Sequence, residues 1–118
     1  MKAARYYGNK DLRVEDIAEP RVEPGKVKIR VEWCGICGTD LHEYDDGPIF
    51  CPTAAHPHPI TGESVPVTLG HEFAGVIAEL GEGVTGLEVG DKVAVEPYIT
   101  CGECVYCVSG RYNLCVKG

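Results

Sequence analysis

Four thiols stand within fifteen residues at Cys101-Gly102-Glu103-Cys104-Val105-Tyr106-Cys107 and Cys115, a C-x2-C-x2-C-x7-C spacing. So short a stretch cannot bury four thiols in a core, and two disulfides would crowd it. One Zn²⁺ ion meets the geometry, because it accepts four thiolates tetrahedrally and brings no redox chemistry of its own. A closed Cys₄ shell leaves no position for a substrate, so the expected role is structural. An iron–sulfur cluster is the chemical rival. The ferredoxin run closes at x3 before a proline, whereas here the fourth cysteine comes at x7 and Val116 follows it. A disulfide framework would require an oxidising compartment.

Cys37 and His71 form a second constellation of a different kind. Each follows a glycine-containing turn at a strand end or start. A thiolate, an imidazole and a carboxylate, from Glu72 or elsewhere, make a three-ligand zinc site with an open fourth position, the catalytic pattern. Zinc held that way acts as a Lewis acid on an oxygen and lowers the pKa of a bound water or alcohol. Thr39 and His42 are then placed to pass a proton from that oxygen to solvent. Against this stand plainer readings, with Cys37 a small buried residue and His71 a loop histidine. Cys34 and Cys37 also read as a redox C-x-x-C, but no βαβ pattern surrounds them. Cys51, His56 and His58 lie in a proline-rich stretch; they are a conceivable metal set, and solvated loop residues are the expected reading.

The elements that must position these groups are short. Residues 3–7 and 12–16 predict a hairpin around Gly8-Asn9. Residues 26–33 alternate strictly and predict a strand with Val27, Ile29, Val31 and Trp33 on one buried face. It runs straight into Cys34–His42, where Thr39 or Asp40 is expected to cap a short helix. Five prolines and several turn residues between 45 and 66 predict a loop. A strand is expected from Phe73 to Leu80, with Gly75 permitting close backbone approach, and another over 92–96. Short strands, 15 glycines and 8 prolines predict a mainly β fold, a small partly closed barrel or irregular sandwich.

The chain of 118 residues predicts one domain with a single core. Its net charge of −7 disfavours nucleic acid and anionic membrane surfaces as partners. No apolar run approaches membrane-spanning length, and the N-terminus has no apolar signal region. Seven cysteines without an export signal predict a reduced, cytoplasmic setting, where clustered thiols bind metal more often than one another.

Taken together, Gly35–His42, Gly70–Gly75, Gly90-Asp91-Lys92-Val93 and the four-cysteine lobe resemble the zinc-dependent medium-chain alcohol dehydrogenases in order and spacing. The match runs over essentially all of the chain. The segment from Asp46-Gly47-Pro48 through His56-Pro57, with Thr61-Gly62 before Gly70-His71-Glu72, most resembles the 2,3-butanediol and sorbitol (polyol) dehydrogenase branch. The resemblance implies a GroES-like, partly open barrel with short helices, spanning 1–118, with a zinc-binding lobe over about 96–116. It implies Cys37 and His71 as catalytic-zinc ligands and Glu72 as the adjacent carboxylate. Thr39 is implied as the hydroxyl that meets the substrate alcohol, His42 as a proton-relay member, and Cys101, Cys104, Cys107 and Cys115 as the structural-zinc shell.

It also implies an alcohol or diol substrate, NAD or NADP as hydride acceptor, and a homo-oligomeric full-length enzyme. Members of that family are roughly three times this long and carry a Rossmann domain with G-x-G-x-x-G. Gly81-Glu82-Gly83-Val84-Thr85-Gly86 spells that string, but Gly81-Glu82-Gly83 reads as a turn and no βαβ pattern surrounds it, so no Rossmann domain is expected within these residues, and the remaining catalytic-zinc ligand would lie beyond Gly118. The expectation is therefore an N-terminal catalytic domain that transfers no hydride alone. Two other classes compete with it, a stand-alone structural zinc module and an iron–sulfur electron carrier.

Overall fold

A computed structural model describes residues 1–118. Strands β1 (Lys2–Gly8), β2 (Asp11–Asp16), β3 (Val27–Cys34), β4 (Val67–Thr68), β5 (Phe73–Leu80) and β6 (Lys92–Ala94) make up most of the regular structure. Helix α1 (Gly38–Asp46), the single turn α2 (Val105–Val108) and a 3₁₀ turn at Tyr112–Leu114 complete it. The strands form two separate three-stranded sheets, β2-β1-β4 and β3-β5-β6, each antiparallel throughout. The barrel is open, as expected for a GroES-like domain. No helix is long and apolar enough to cross a membrane.

The β1–β2 hairpin forms where the alternation placed it, and Lys10 takes the left-handed conformation its turn requires (φ 56°). The β3–β5 pair matters most for function. Its register runs from Val27 opposite Leu80 to Cys34 opposite Phe73. That pairing carries Gly35 alongside Glu72, whose carbonyl accepts the Gly35 N–H at 2.8 Å. Two distant sequence segments are thereby brought to one sheet end. Gly75 is required where the strands cross closely: a Cβ there would lie 2.3 Å from the Arg30 carbonyl oxygen.

Four expectations are corrected. The apolar face of β3 is not uniformly buried, since Val31 is 52% and Trp33 79% exposed. Register shifts between Lys28 and Ile29 and between Val31 and Trp33 break the strict period, and no element covers that end of the strand. The core is far smaller than a chain of this length suggests, with Ala3, Tyr6 and Ile77 as its buried hydrophobic residues. Two short sheets that do not close leave most apolar side chains in contact with water. The helix cap is neither Thr39 nor Asp40 but Cys37, and strand β6 ends at Ala94.

Candidate metal centres

In the cysteine lobe the backbone does what the spacing requires. The turn α2 and the 3₁₀ turn fold the chain back so that Cys115 meets Cys101. The sulfur–sulfur distances are 3.9 Å for Cys101–Cys107, 3.5 Å for Cys104–Cys107 and 3.6 Å for Cys115–Cys101. A tetrahedron of sulfurs about 2.3 Å from a central zinc has edges of about 3.8 Å, so the four thiols fit that ion. Backbone N–H groups point at the sulfurs: Cys104 donates to Cys101 Sγ at 3.4 Å, Cys101 to Cys115 Sγ at 3.3 Å, and Lys117 to Cys115 Sγ at 3.4 Å.

These donors favour thiolate. Backbone N–H groups, that of Cys107 foremost, hold Cys104 down at about 6, and the Cys101 N–H likewise lowers Cys115. Burial pushes Cys107 up to about 12, and its contact with Cys104 adds to this. Four anionic sulfurs this close repel one another, and a dication removes that repulsion.

The mixed cluster draws on two segments. Cys37 caps α1 just after β3, and His71-Glu72 precedes β5. Ligand atoms of Cys37, His71 and Glu72 all lie within 4.8 Å of one another. Cys37 Sγ and His71 Nε2 are 3.3 Å apart. A soft thiolate, an imidazole nitrogen and a carboxylate suit a zinc ion. Glu72 is exposed, so one side of the cluster opens to solvent. Gly70 is needed beside it: φ is +109°, and a Cβ would lie 2.6 Å from Cys34 Sγ.

Asp40, which the sequence offers as a possible cap, has a larger part in the cluster. Its carboxylate accepts the Cys37 N–H at 3.0 Å on one oxygen and faces His71 Nδ1 at 3.4 Å with the other. Asp40 thereby orients both the thiol and the ring, leaving Nε2 turned toward Cys37. The signal lay in the sequence, since an acid three residues after a cap closes it from the N3 position. Thr39 and His42 stand outside the cluster. They are exposed and three residues apart on α1, so they share a helix face. Cys51, His56 and His58 join no metal-ligand group.

An open antiparallel fold with a four-thiol lobe and a mixed Cys–His–carboxylate cluster at a sheet end defines a GroES-like domain. Residues 23–118 match the alcohol dehydrogenase GroES-like domain, and the chain belongs to that family. Among curated relatives, it is 65% identical over 99 residues to an (R,R)-butanediol dehydrogenase of Neisseria gonorrhoeae, covering 84% of this chain and 28% of the relative. It is 58% identical over 115 residues to one of Bacillus subtilis, covering 97% and 32%.

Among solved structures, 2R,3R-butanediol dehydrogenase from Bacillus subtilis superposes with a TM-score of 0.88 at 56% identity, covering 98% of this chain and 32% of that one. The cobalt- and zinc-bound alcohol dehydrogenase of Pyrobaculum aerophilum gives 0.78 at 32% identity, covering 100% and 33%. The chain thus spans about a third of the length of these relatives.

Proposed function

We propose that this chain is the metal-binding catalytic domain of an NAD- or NADP-dependent dehydrogenase that oxidises a small secondary alcohol or vicinal diol of the 2,3-butanediol type to a ketone. The observation that carries the reading is the mixed cluster: three unlike donors gathered from α1 and the β5 entry, open on one side, beside a separate closed thiol shell. Butanediol dehydrogenases at 65% and 58% identity support the diol.

In this reading Cys37, His71 and Glu72 hold the catalytic zinc, and Cys101, Cys104, Cys107 and Cys115 hold the structural one. When bound, zinc supplies a Lewis acid for the alcohol oxygen and the nicotinamide supplies the hydride acceptor. Asp40 keeps the His71 ring and the Cys37 backbone in place for that binding. Thr39 accepts the substrate hydroxyl proton in a hydrogen bond, and His42, on the same face of α1, passes it to solvent. The whole protein's hydride transfer requires a cofactor-binding part of the kind that the longer relatives' extra length can supply, so the 118 residues alone are expected to be inactive.

Metal analysis of the purified chain tests this. Two zinc ions per chain are expected, falling to one in Cys37→Ser or His71→Ala with the fold retained. A single zinc that survives both substitutions would leave a stand-alone structural module, and iron with visible absorption would indicate an electron carrier.

A further inference from the structure

Glu43 is the one buried charged side chain in the molecule, only 2% exposed. No cation balances it. Its carboxylate instead accepts N–H bonds from three successive residues: Ile49 at 2.9 and 3.1 Å, Phe50 at 2.8 Å and Cys51 at 3.2 Å. Its own carbonyl takes the Tyr6 hydroxyl at 2.8 Å and the Gly47 N–H at 3.0 Å. Strand β1, helix α1 and the loop after it therefore meet at this residue. Gly47 admits no side chain there, since a Cβ would lie 2.1 Å from the Glu43 carbonyl oxygen.

Glu43 lies one helical turn after Asp40, on the same face of α1. The loop it fixes meets α1 at Glu43, and Cys51 within it is half-buried. Burial first, then the charges of Glu43 and Asp40, push the Cys51 thiol up to about 12. The Asp40 side chain is only 13% exposed, although both its oxygens serve the cluster. Shielding from water strengthens the bonds Asp40 makes to Cys37 and His71, because charge-assisted bonds gain as the local dielectric falls.

We propose that Glu43 is a positioning residue for the Cys37–His71–Glu72 cluster, acting through the loop at 49–51 that it clamps over Asp40. The inference rests on reading that cluster as a metal site, but one of its readouts does not need the metal.

The test is Glu43→Gln in the 118-residue chain, which keeps the shape and replaces half the acceptor with an amide. Amide exchange in the metal-free protein should accelerate at Ile49, Phe50 and Cys51, and also about tenfold at Cys37, whose N–H is held by Asp40. With Co²⁺ as probe, affinity at the mixed cluster should fall about tenfold, the lower end for loss of an outer-shell partner. The thiolate bands of the Cys₄ lobe should not change. Acceleration confined to 49–51, with Cys37 exchange at wild-type rate, would make Glu43 a loop fastener only and overturn the proposal.

If the wild-type chain takes Co²⁺ at the lobe alone, the metal reading fails, and Cys37 exchange still decides the role of Glu43. Should the variant not fold, exchange of the wild-type chain in sub-denaturing urea decides instead. The 49–51 amides and the Cys37 amide must open as one unit, and separate opening overturns the proposal.

Discussion

The two thiol-containing clusters are built on opposite plans. The donors of the cysteine lobe span fourteen positions, from Cys101 to Cys115, and every one is a sulfur. Cys37 and His71 are thirty-four positions apart, and the third donor is an oxygen. In the lobe, local turns and backbone N–H groups aim at the sulfurs, and little apolar packing supports them. In the mixed cluster, the β3–β5 register brings the two segments together, and Asp40 then aligns the donors. The lobe is shaped by local turns around its thiols. The mixed cluster is shaped by the sheet, and one side of it is open to solvent.

The largest expected contrast comes from Cys104→Ser. Structural zinc contributes about 10–16 kcal/mol in zinc-finger peptides at neutral pH. Losing one of four ligands should therefore raise amide exchange through Cys101–Gly118 by roughly 100-fold, while the β3–β5 ladder keeps its protection. Equal loss in both regions would show that the lobe and sheet fold as one unit and would erase the distinction.

A smaller effect, on the other side of the comparison, is expected from Gly70→Ala. The new side chain meets Cys34 Sγ and forces a left-handed residue to carry a Cβ. The cost should be about 1–3 kcal/mol, with weakened binding at the mixed cluster and an unchanged lobe. Denaturant unfolding and cobalt titration would measure the two separately. Wild-type stability would mean that the His71 approach does not depend on this glycine.

Acidity should separate the regions most subtly. In the metal-free chain Cys104 sits at about 6 against an ordinary thiol value of 9.0. Between those values the folded lobe binds fewer protons than the unfolded chain. The stability from Cys104 is therefore fully present above about pH 9 and lost as pH falls toward about 6. Cys51, held near 12, runs the other way: its contribution is present below about pH 9 and lost as pH rises toward 12. Exchange measured below about pH 9 should show the lobe loosening toward pH 6 while the loop at 49–51 keeps its protection; above about pH 9 Cys107, also pushed up to about 12, loosens the lobe alongside the loop. Loss of protection at 49–51 on the acid side would contradict these assignments.

Legibility in the sequence followed the same division. The spacing of Cys101, Cys104, Cys107 and Cys115 was readable because a cluster closed within fifteen residues is decided by local turns. The hairpin, β3, β5 and the glycine crossing at Gly75 were readable from alternation and residue type. Cys37, His71 and Glu72 stood out as chemical types, and their order matched a family, but nothing in spacing alone makes residues thirty-four apart meet. The β3–β5 register does that. Exposure of Val31 and Trp33 was hidden because the shifts that break the period depend on the partner strand.

Glu43 shows the limit most clearly. In sequence it is one acid among eighteen acidic residues, beside His42 on a short helix. Its burial exists only because the chain after α1 turns back and presents three consecutive N–H groups to it. Residue types and short spacings thus determined the donors, the lobe and the strands, since those depend on neighbours along the chain. Which donors stand together, which apolar faces stay wet and which acid is buried were decided by strand register and chain reversal, long-range pairings that no local pattern encodes.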